Sequence, residues 1–164
     1  MILSERRGVA WWIASGLGCG LSPVAPGTVG SLLGLVGALA VTAAFPDTPA
    51  GALLVVGGLV AFVGIPATAL AARIGVHEAP EGEAGDPQWV VIDEVAGQLL
   101  ACAGIPAHAG WLWYVAAFVA FRIQDIAKPG LIGWLDRQRG AVFVMADDAL
   151  AGLATAVLLA LAAL

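Results

Sequence analysis

The sequence predicts an all-α, multihelical integral membrane protein whose short helices are broken by glycine and proline. Hydrophobic residues make up 60% of the 164 residues and charged residues only 12%, against about 45–50% and 25% in an average soluble domain. The mean hydropathy is +0.94. Charged residues are absent from four long stretches, at 8–46, 48–72, 95–121 and 149–164. The length suits a single membrane domain over residues 1–164, and the composition argues against a disordered chain or a conventional soluble enzyme.

Charge and motif content narrow the functional classes further. A formal net charge of −5 argues against binding to nucleic acid, which needs a basic surface. Cys19 and Cys102 lie apart in apolar stretches, which is typical of packing residues rather than of a disulfide or a metal site. The chain contains no C-x5-R, D-x-D or G-x-S-x-G motif. Cysteine phosphatase chemistry is thereby excluded, and aspartyl-phosphate phosphatase and α/β-hydrolase chemistry are disfavoured.

The elements follow in order along the chain. Residues 9–17 predict a short interfacial helix, because Trp11 and Trp12 are of the type that settles at a membrane interface. Residues 22–31 (SPVAPGTVGS) predict a loop, since proline and glycine interrupt helices. Spanning helices are expected at 29–45, 50–72 and 149–164, and the last becomes longer if Asp147 and Asp148 lie in its first turn.

The stretch 95–121 is too long for a simple span, and Gly104, Pro106, His108 and Gly110 interrupt its middle. We expect two short helices that meet at 105–110 and return the chain to the side it came from. A single long, proline-kinked span is the alternative. Only the hairpin brings Glu94 and Arg122 to the same face of the membrane.

With this topology the basic residues gather on one side of the membrane, and the positive-inside rule makes that side cytoplasmic. The polar segment 77–88 is expected to be a solvated connection on the same side. The basic residues that collect there are Arg6, Arg7, Arg73, Arg122, Lys128, Arg137 and Arg139.

Two polar clusters precede or begin predicted helices. Thr28 and Ser31 lie in a glycine-rich segment that suits a phosphate bound by backbone N–H groups and hydroxyls. An ordinary turn with Thr28 as the N-cap explains the same residues. Asp93 and Glu94 begin the third apolar stretch. One explanation is that they interact favourably with the dipole at a helix N-terminus. The other is that they bind a cation, because adjacent carboxylates near the bilayer are costly when unpaired.

Two further clusters lie in the C-terminal half. Arg122, Asp125 and Lys128 recur every three residues and so are neighbours on a helix. They form either a surface ion-pair ladder or a site in which the cations hold a phosphate while Asp125 binds a metal. Asp147 and Asp148 open the last apolar helix, where N-capping explains only one of them. Carboxylates that converge from several helix ends suit Mg²⁺, which indicates metal-assisted phosphate-ester chemistry.

Together these clusters resemble those of the phosphatidylglycerophosphatase A family of bacterial phospholipid phosphatases. The matching segments, in order, are SPVAPGTVGS at 22–31, DPQWVVIDEVAGQLLA at 86–101 and FRIQDIAKPGLIGWLDRQRGAVFVMADDALAG at 121–152. The chain departs from the family pattern in its longer acidic loop before Asp86 and in Gly130, where an aromatic residue usually follows Lys-Pro.

The resemblance implies an all-helical fold and Mg²⁺-dependent hydrolysis of phosphatidylglycerophosphate to phosphatidylglycerol, by attack of water, at the bacterial cytoplasmic membrane. Which carboxylate serves as base, and whether an aspartyl-phosphate forms, stays open. The implied catalytic residues are Asp93, Glu94, Asp125 and Asp148. The implied metal ligands are Asp93, Glu94, Asp125, Asp147 and Asp148. The implied phosphate contacts are Thr28, Ser31, Arg122 and Lys128.

Two other classes compete with this interpretation. A small membrane transporter or channel subunit would use the acids as an ion path near the middle of the bilayer, whereas here they lie at the boundaries of the predicted spans. A purely structural membrane subunit would need neither the mixed charges nor the glycine-rich loop. The sequence leaves open whether the chain forms a homo-oligomer.

Overall fold

The computed structural model describes residues 8–75 and 88–164. Arg6, Arg7 and the predicted connection at 77–88, apart from Gln88, lie outside the described residues. Within them the chain contains no strand, and the prediction of an all-α, multihelical fold is confirmed. The helices are α1 (Val9–Ala14), α2 (Pro26–Ala44), α3 (Pro49–Gly75), α4 (Ile92–Cys102), α5 (Trp111–Ala127), α6 (Leu131–Asp136) and α7 (Ala141–Ala162).

Three of these helices, α2, α3 and α7, are long and apolar enough to cross a membrane. They correspond to the three predicted spans. Helix α2 begins at Pro26, since proline suits the first turn of a helix, where its missing N–H costs no hydrogen bond. The predicted loop at 22–31 is therefore wrong in its second half, which is helical.

Helix α1 is shorter than the predicted 9–17, because the chain turns at Gly16 and Leu17, which both have positive φ. Its two tryptophans differ in environment. Trp12 is exposed, as expected for an interfacial residue, whereas Trp11 is buried and stacks on Trp89 with ring centroids 5.7 Å apart. Trp11 thus contributes to the packing of α1 rather than to its exposed surface.

Helix α7 begins earlier than the sequence indicates. It follows Gly140, whose φ of 113° favours glycine, and starts at Ala141 with no acidic residue in its first turn. Asp147 and Asp148 lie well inside the helix, so the prediction that they open it is wrong. The apolar residues 141–146 extend the helical pattern, and Lys128 pairs with Asp147 inside the bundle.

Helices α4 and α5 are separated by a turn at 103–110 and pack against each other. This confirms the hairpin and rules out one long kinked helix. Helix α4 has only 11 residues, too few to cross a bilayer. It lies instead at the centre of the fold, packed against α2, α3, α5 and α7, and nearly all of its residues are buried.

The close approach of α4 and α7 depends on two glycines. A Cβ atom at Gly152 would collide with the carbonyl oxygen of Gly97, and one at Gly97 would lie 2.6 Å from the Phe121 ring. Small residues let the backbones of membrane helices approach closely. Each glycine lies one turn beyond an acidic residue, Glu94 in α4 and Asp148 in α7. The contact therefore brings the acidic turns of the two helices together.

Candidate active site

Three acids form a compact group, which we call the acid triad: Asp93, Glu94 and Asp148. Each offers a carboxylate oxygen, and these oxygens lie within 4.8 Å of one another. Asp93 and Asp148 are buried and Glu94 is half-buried. Glu94 Oε2 and Asp148 Oδ2 are buried without a hydrogen-bond partner among the described residues. The acid triad is thus a concentration of negative charge that its surroundings do not fully compensate.

The environment of the acid triad alters the ionisation of Glu94. Burial raises its pKa to about 7; the hydrogen bond with Asp93 opposes this shift, and the charges of Asp148 and Asp125 add to it. Burial and neighbouring negative charge both disfavour the ionised form of a carboxyl group. A bound cation would reverse that preference, because its charge favours the ionised form.

Beside the acid triad, Arg122 of α5 is held from two sides. Its Nη1 donates hydrogen bonds to Asp125 Oδ2 and, at 3.3 Å, to the hydroxyl of Ser31 in α2. The side chains of Arg122 and Asp125 are only 16% and 11% exposed, which rules out the alternative of a surface ion-pair ladder. Arg122 Nε is buried and has no partner among the described residues. One edge of the guanidinium is therefore fixed while Nε stays available.

Lys128 contacts a second group of acidic side chains. It caps the C-terminus of α5 in a left-handed conformation. Its Nζ donates a hydrogen bond to Asp147 and lies 3.0 Å from Asp136 Oδ1 and 3.6 Å from Asp125 Oδ1. Burial alone would lower the pKa of Lys128, but the hydrogen bond to Asp147, the charges of Asp148 and Asp147 and the hydrogen bond to Asp136 raise it above its usual range. We call Asp125, Asp136 and Asp147 the paired acids.

The first turn of α2 covers one side of the site. A Cβ atom at Gly27 would collide with Glu94 Oε1 and lie 3.4 Å from Arg122 Nη1, so any larger residue there would displace the Glu94 carboxylate. Ser31 donates a hydrogen bond to the carbonyl oxygen of Gly27 at 2.9 Å. Thr28 is half-buried, and no hydrogen bond found among the described residues joins its side chain to the site. The N-cap of α2 is Ala25, so the interpretation of Thr28 as an N-cap is wrong.

The structure thus sorts the predicted site residues into two roles. Glu94, Asp148 and Asp93 offer clustered oxygen atoms, which fits a divalent cation with oxygen ligands. One oxygen of Glu94 and one of Asp148 have no hydrogen-bond partner within residues 8–75 and 88–164. Asp125 and Asp147 lie beside this group but pair with Arg122 and Lys128. Sequence reasoning missed Asp136 as a neighbour of Lys128. The chain reverses at Lys128 and Gly130, which both have positive φ, and the spacing of the charged residues gives no signal for this contact.

The acid triad, which can bind a metal ion, therefore lies next to Arg122, which can bind an anion. Arg122 can present two parallel N–H groups to a phosphate, and the acid triad can hold a metal next to it. This pairing is what the hydrolysis of a phosphate ester requires.

Comparison with known proteins places the chain among lipid phosphatases. The family model described as Phosphatidylglycerophosphatase A matches residues 12–163. A protein of Bacteroides thetaiotaomicron, provisionally named a phosphatidylinositol-3-phosphatase, is 41% identical over 154 residues, which cover 92% of this chain and 91% of that protein. No solved structure matches the chain significantly.

Two further relatives are named phosphatidylglycerophosphatase A. The protein of Escherichia coli is 35% identical over 146 residues, covering 88% of this chain and 77% of its own length. That of Haemophilus influenzae is also 35% identical over 146 residues, covering 86% of this chain and 80% of its own. The similarity extends over segments that contain the acid triad, Arg122 and Lys128, since the family match spans nearly the whole chain.

Proposed function

Because the chain belongs to the phosphatidylglycerophosphatase A family, we propose that the acid triad and its neighbouring cations are the active site and that the reaction depends on Mg²⁺. The protein is a lipid phosphate hydrolase that removes the terminal phosphate of phosphatidylglycerophosphate. The observation that carries the proposed site is the meeting of the acid triad with the available edge of Arg122.

The acid triad is the proposed metal site. Glu94 and Asp148 each have a buried oxygen that no described residue contacts through a hydrogen bond. Three carboxylates from two helices suit a cation that prefers oxygen ligands and retains water. When bound, Mg²⁺ would neutralise charge on the phosphoryl oxygens and so favour attack at phosphorus. Asp125 and Asp147 remain predicted ligands, although their pairing with Arg122 and Lys128 favours a positioning role.

The chain's own cations bind and orient the phosphoryl group. Asp125 and Ser31 fix one nitrogen of Arg122, which leaves Nε to donate to a phosphoryl oxygen with little loss of side-chain entropy. Lys128, which also contacts the Asp125 carboxylate, adds positive charge and keeps Asp147 in place. Thr28 lies in the same turn as Gly27 and is the proposed further contact of α2 with the phosphate.

Hydrolysis then requires a water molecule in line with the departing glycerol oxygen. The water oxygen forms a bond to phosphorus, and the bond between phosphorus and the glycerol oxygen breaks. A carboxylate of the site accepts the proton of the water, and the leaving alkoxide takes up a proton to become the hydroxyl of phosphatidylglycerol. Asp93, Glu94, Asp125 and Asp148 are the proposed catalytic acids.

The active site is proposed to face the cytoplasm of a bacterium. Helix α2 starts at the site and α3 returns to the same side, where it carries Arg73 in its last turn. Arg122, Arg137 and Arg139 lie at this end as well, and positive residues favour the cytoplasmic side of a membrane.

The direct test is phosphate release from phosphatidylglycerophosphate by the purified protein in detergent micelles. We expect release with Mg²⁺, none after EDTA, and none from Asp125→Asn or Asp148→Asn with Mg²⁺. An Asp47→Asn variant serves as the matched control, because Asp47 is an exposed acid outside the site. Full activity in EDTA would contradict the proposed metal dependence.

A second candidate substrate is a phosphoinositide, because the relative from Bacteroides thetaiotaomicron is provisionally named a phosphatidylinositol-3-phosphatase. Both substrates present a phosphate monoester on a lipid headgroup, so the same site serves either reaction. Parallel assays with phosphatidylinositol 3-phosphate decide between them. A higher kcat/KM for phosphatidylinositol 3-phosphate than for phosphatidylglycerophosphate would make the phosphoinositide the preferred substrate.

A further inference from the structure

Helix α6 forms one wall beside the active site, and its two faces differ. Ile132 and Gly133 are buried, and α6 packs against α7. Asp136 reaches the ammonium group of Lys128 at 3.0 Å. Leu131 and Trp134 are 61% and 49% exposed. One face of α6 is therefore anchored to the site, while the other presents apolar side chains outward.

Arg137 follows directly on α6 and lies next to the site. It is exposed, and no ion pair or hydrogen bond of its side chain occurs within the described ranges 8–75 and 88–164. A Cβ atom built at Gly133 would be 3.5 Å from Arg137 Nη1 and would collide with the carbonyl oxygen of Lys128. The guanidinium thus lies beside the chain segment that carries Lys128, with its hydrogen-bond donors available.

The proposed substrate, phosphatidylglycerophosphate, presents two anionic groups. This inference rests on the proposed function because it concerns the second of these groups. The terminal phosphate monoester would bind between the acid triad and Arg122. The internal phosphodiester, one glycerol unit away, keeps a negative charge of its own, and Arg122 and Lys128 are already engaged near the monoester. A second available cation at the edge of the site would match this second charge.

We propose that Arg137 binds the phosphodiester of the substrate and so selects lipids that carry both a terminal phosphate and a phosphodiester. A guanidinium recognises phosphate oxygens through parallel N–H groups. Leu131 and Trp134 share a side of α6 with Arg137, because residues three apart are neighbours on a helix. Tryptophan settles at the membrane interface, so this side of α6 faces the lipid from which the headgroup enters.

The test compares Arg137→Gln with the matched variant Arg139→Gln, which removes an exposed arginine two residues away. For each variant we would measure KM for phosphatidylglycerophosphate and the inhibition constant of inorganic phosphate, a probe that fills the monoester position alone. We expect Arg137→Gln to raise KM about tenfold and to leave the inhibition constant of phosphate and kcat unchanged. Arg137→Lys should restore part of the loss, and Arg139→Gln should change neither constant.

Other results would overturn the proposal. An unchanged KM in Arg137→Gln, or an equal rise in Arg139→Gln, would show that no specific contact with the phosphodiester exists. A parallel rise in the inhibition constant of inorganic phosphate would assign Arg137 to the monoester instead. Failure of the wild-type protein to cleave phosphatidylglycerophosphate is a separate result, and it would remove the proposed function together with this inference.

Discussion

The acid triad and the paired acids lie at the same end of the helix bundle, yet their charges are compensated differently. Asp125, Asp136 and Asp147 all contact Lys128, and Asp125 also contacts Arg122. In the acid triad, by contrast, Glu94 and Asp148 each keep a buried oxygen that has no partner in the described part of the chain.

This difference distinguishes carboxylates that are neutralised within the protein from carboxylates that can bind a ligand. A buried carboxylate without compensation costs several kcal/mol, and the cost is higher near lipid. The chain supplies the paired acids with its own cations. Among the described residues, it supplies no hydrogen-bond partner to Glu94 Oε2 or Asp148 Oδ2. We infer that a metal completes the acid triad, and the following changes test this distinction.

The largest effect is expected from Asp148→Asn. Loss of one carboxylate removes a proposed metal ligand, so kcat with Mg²⁺ should fall by about a thousandfold. The same change removes an uncompensated buried charge, so the metal-free variant should unfold at the same or a higher temperature than the wild type. Phosphate release and thermal unfolding in detergent measure the two effects. A clear drop in the metal-free unfolding temperature would mean that Asp148 is already compensated within the protein.

Lys128→Met tests the pairing of the paired acids through its effect on stability, which is measured separately from activity. The substitution leaves buried Asp147 without its cation, which should lower the free energy of unfolding by about 3 kcal/mol. The double variant Lys128→Met/Asp147→Asn should recover most of this loss, because neither charge then remains alone. Equal destabilisation in the single and double variants would contradict the pairing.

Gly27→Ala should disturb the acid triad without changing any charge. The new methyl group would meet Glu94 Oε1, and a small displacement of a catalytic group lowers kcat/KM on the order of tenfold. Gly51→Ala is the matched control, since it also lies in the first turn of a spanning helix but has no atom within 4 Å of its Cβ position. The control should keep full activity. If both variants were fully active, α2 would not lie against Glu94.

Ser31→Ala should give the smallest effect. It removes the hydrogen bond from Arg122 Nη1 but leaves the ion pair with Asp125, so Arg122 loses one of two anchors. We expect KM for phosphatidylglycerophosphate to rise about threefold with kcat unchanged, as measured by initial rates. A loss as large as that of Asp148→Asn would assign Ser31 a direct part in the reaction.

Much of the fold can be predicted from the positions of the sequence stretches that lack charged residues. The charge-free stretches predict the three spanning helices, and the glycine and proline residues at 104–110 predict the hairpin, because both depend on local composition. The hairpin in turn predicts that Glu94 and Arg122 lie on the same face of the membrane. Both lie against Gly27 in the structure.

The errors arise where tertiary contacts override local signals. Asp147 and Asp148 look like the start of a helix, but α7 begins six residues before Asp147 because Lys128 compensates Asp147 within the bundle. Asp136 reaches Lys128 only because the chain reverses through left-handed Lys128 and Gly130 with positive φ. No spacing rule in the sequence encodes that reversal. The division between the acid triad and the paired acids is likewise visible only in the packed structure.

The most direct test of the central claim is a count of divalent cations bound to the purified protein. Electron paramagnetic resonance of Mn²⁺ provides it, since Mn²⁺ shares the oxygen ligands of Mg²⁺. We expect saturable binding to the wild type, competition by Mg²⁺, and binding that persists in Asp136→Asn but disappears in Asp148→Asn and Glu94→Gln. Unchanged Mn²⁺ binding in Asp148→Asn and Glu94→Gln would contradict the assignment of the acid triad as the metal site.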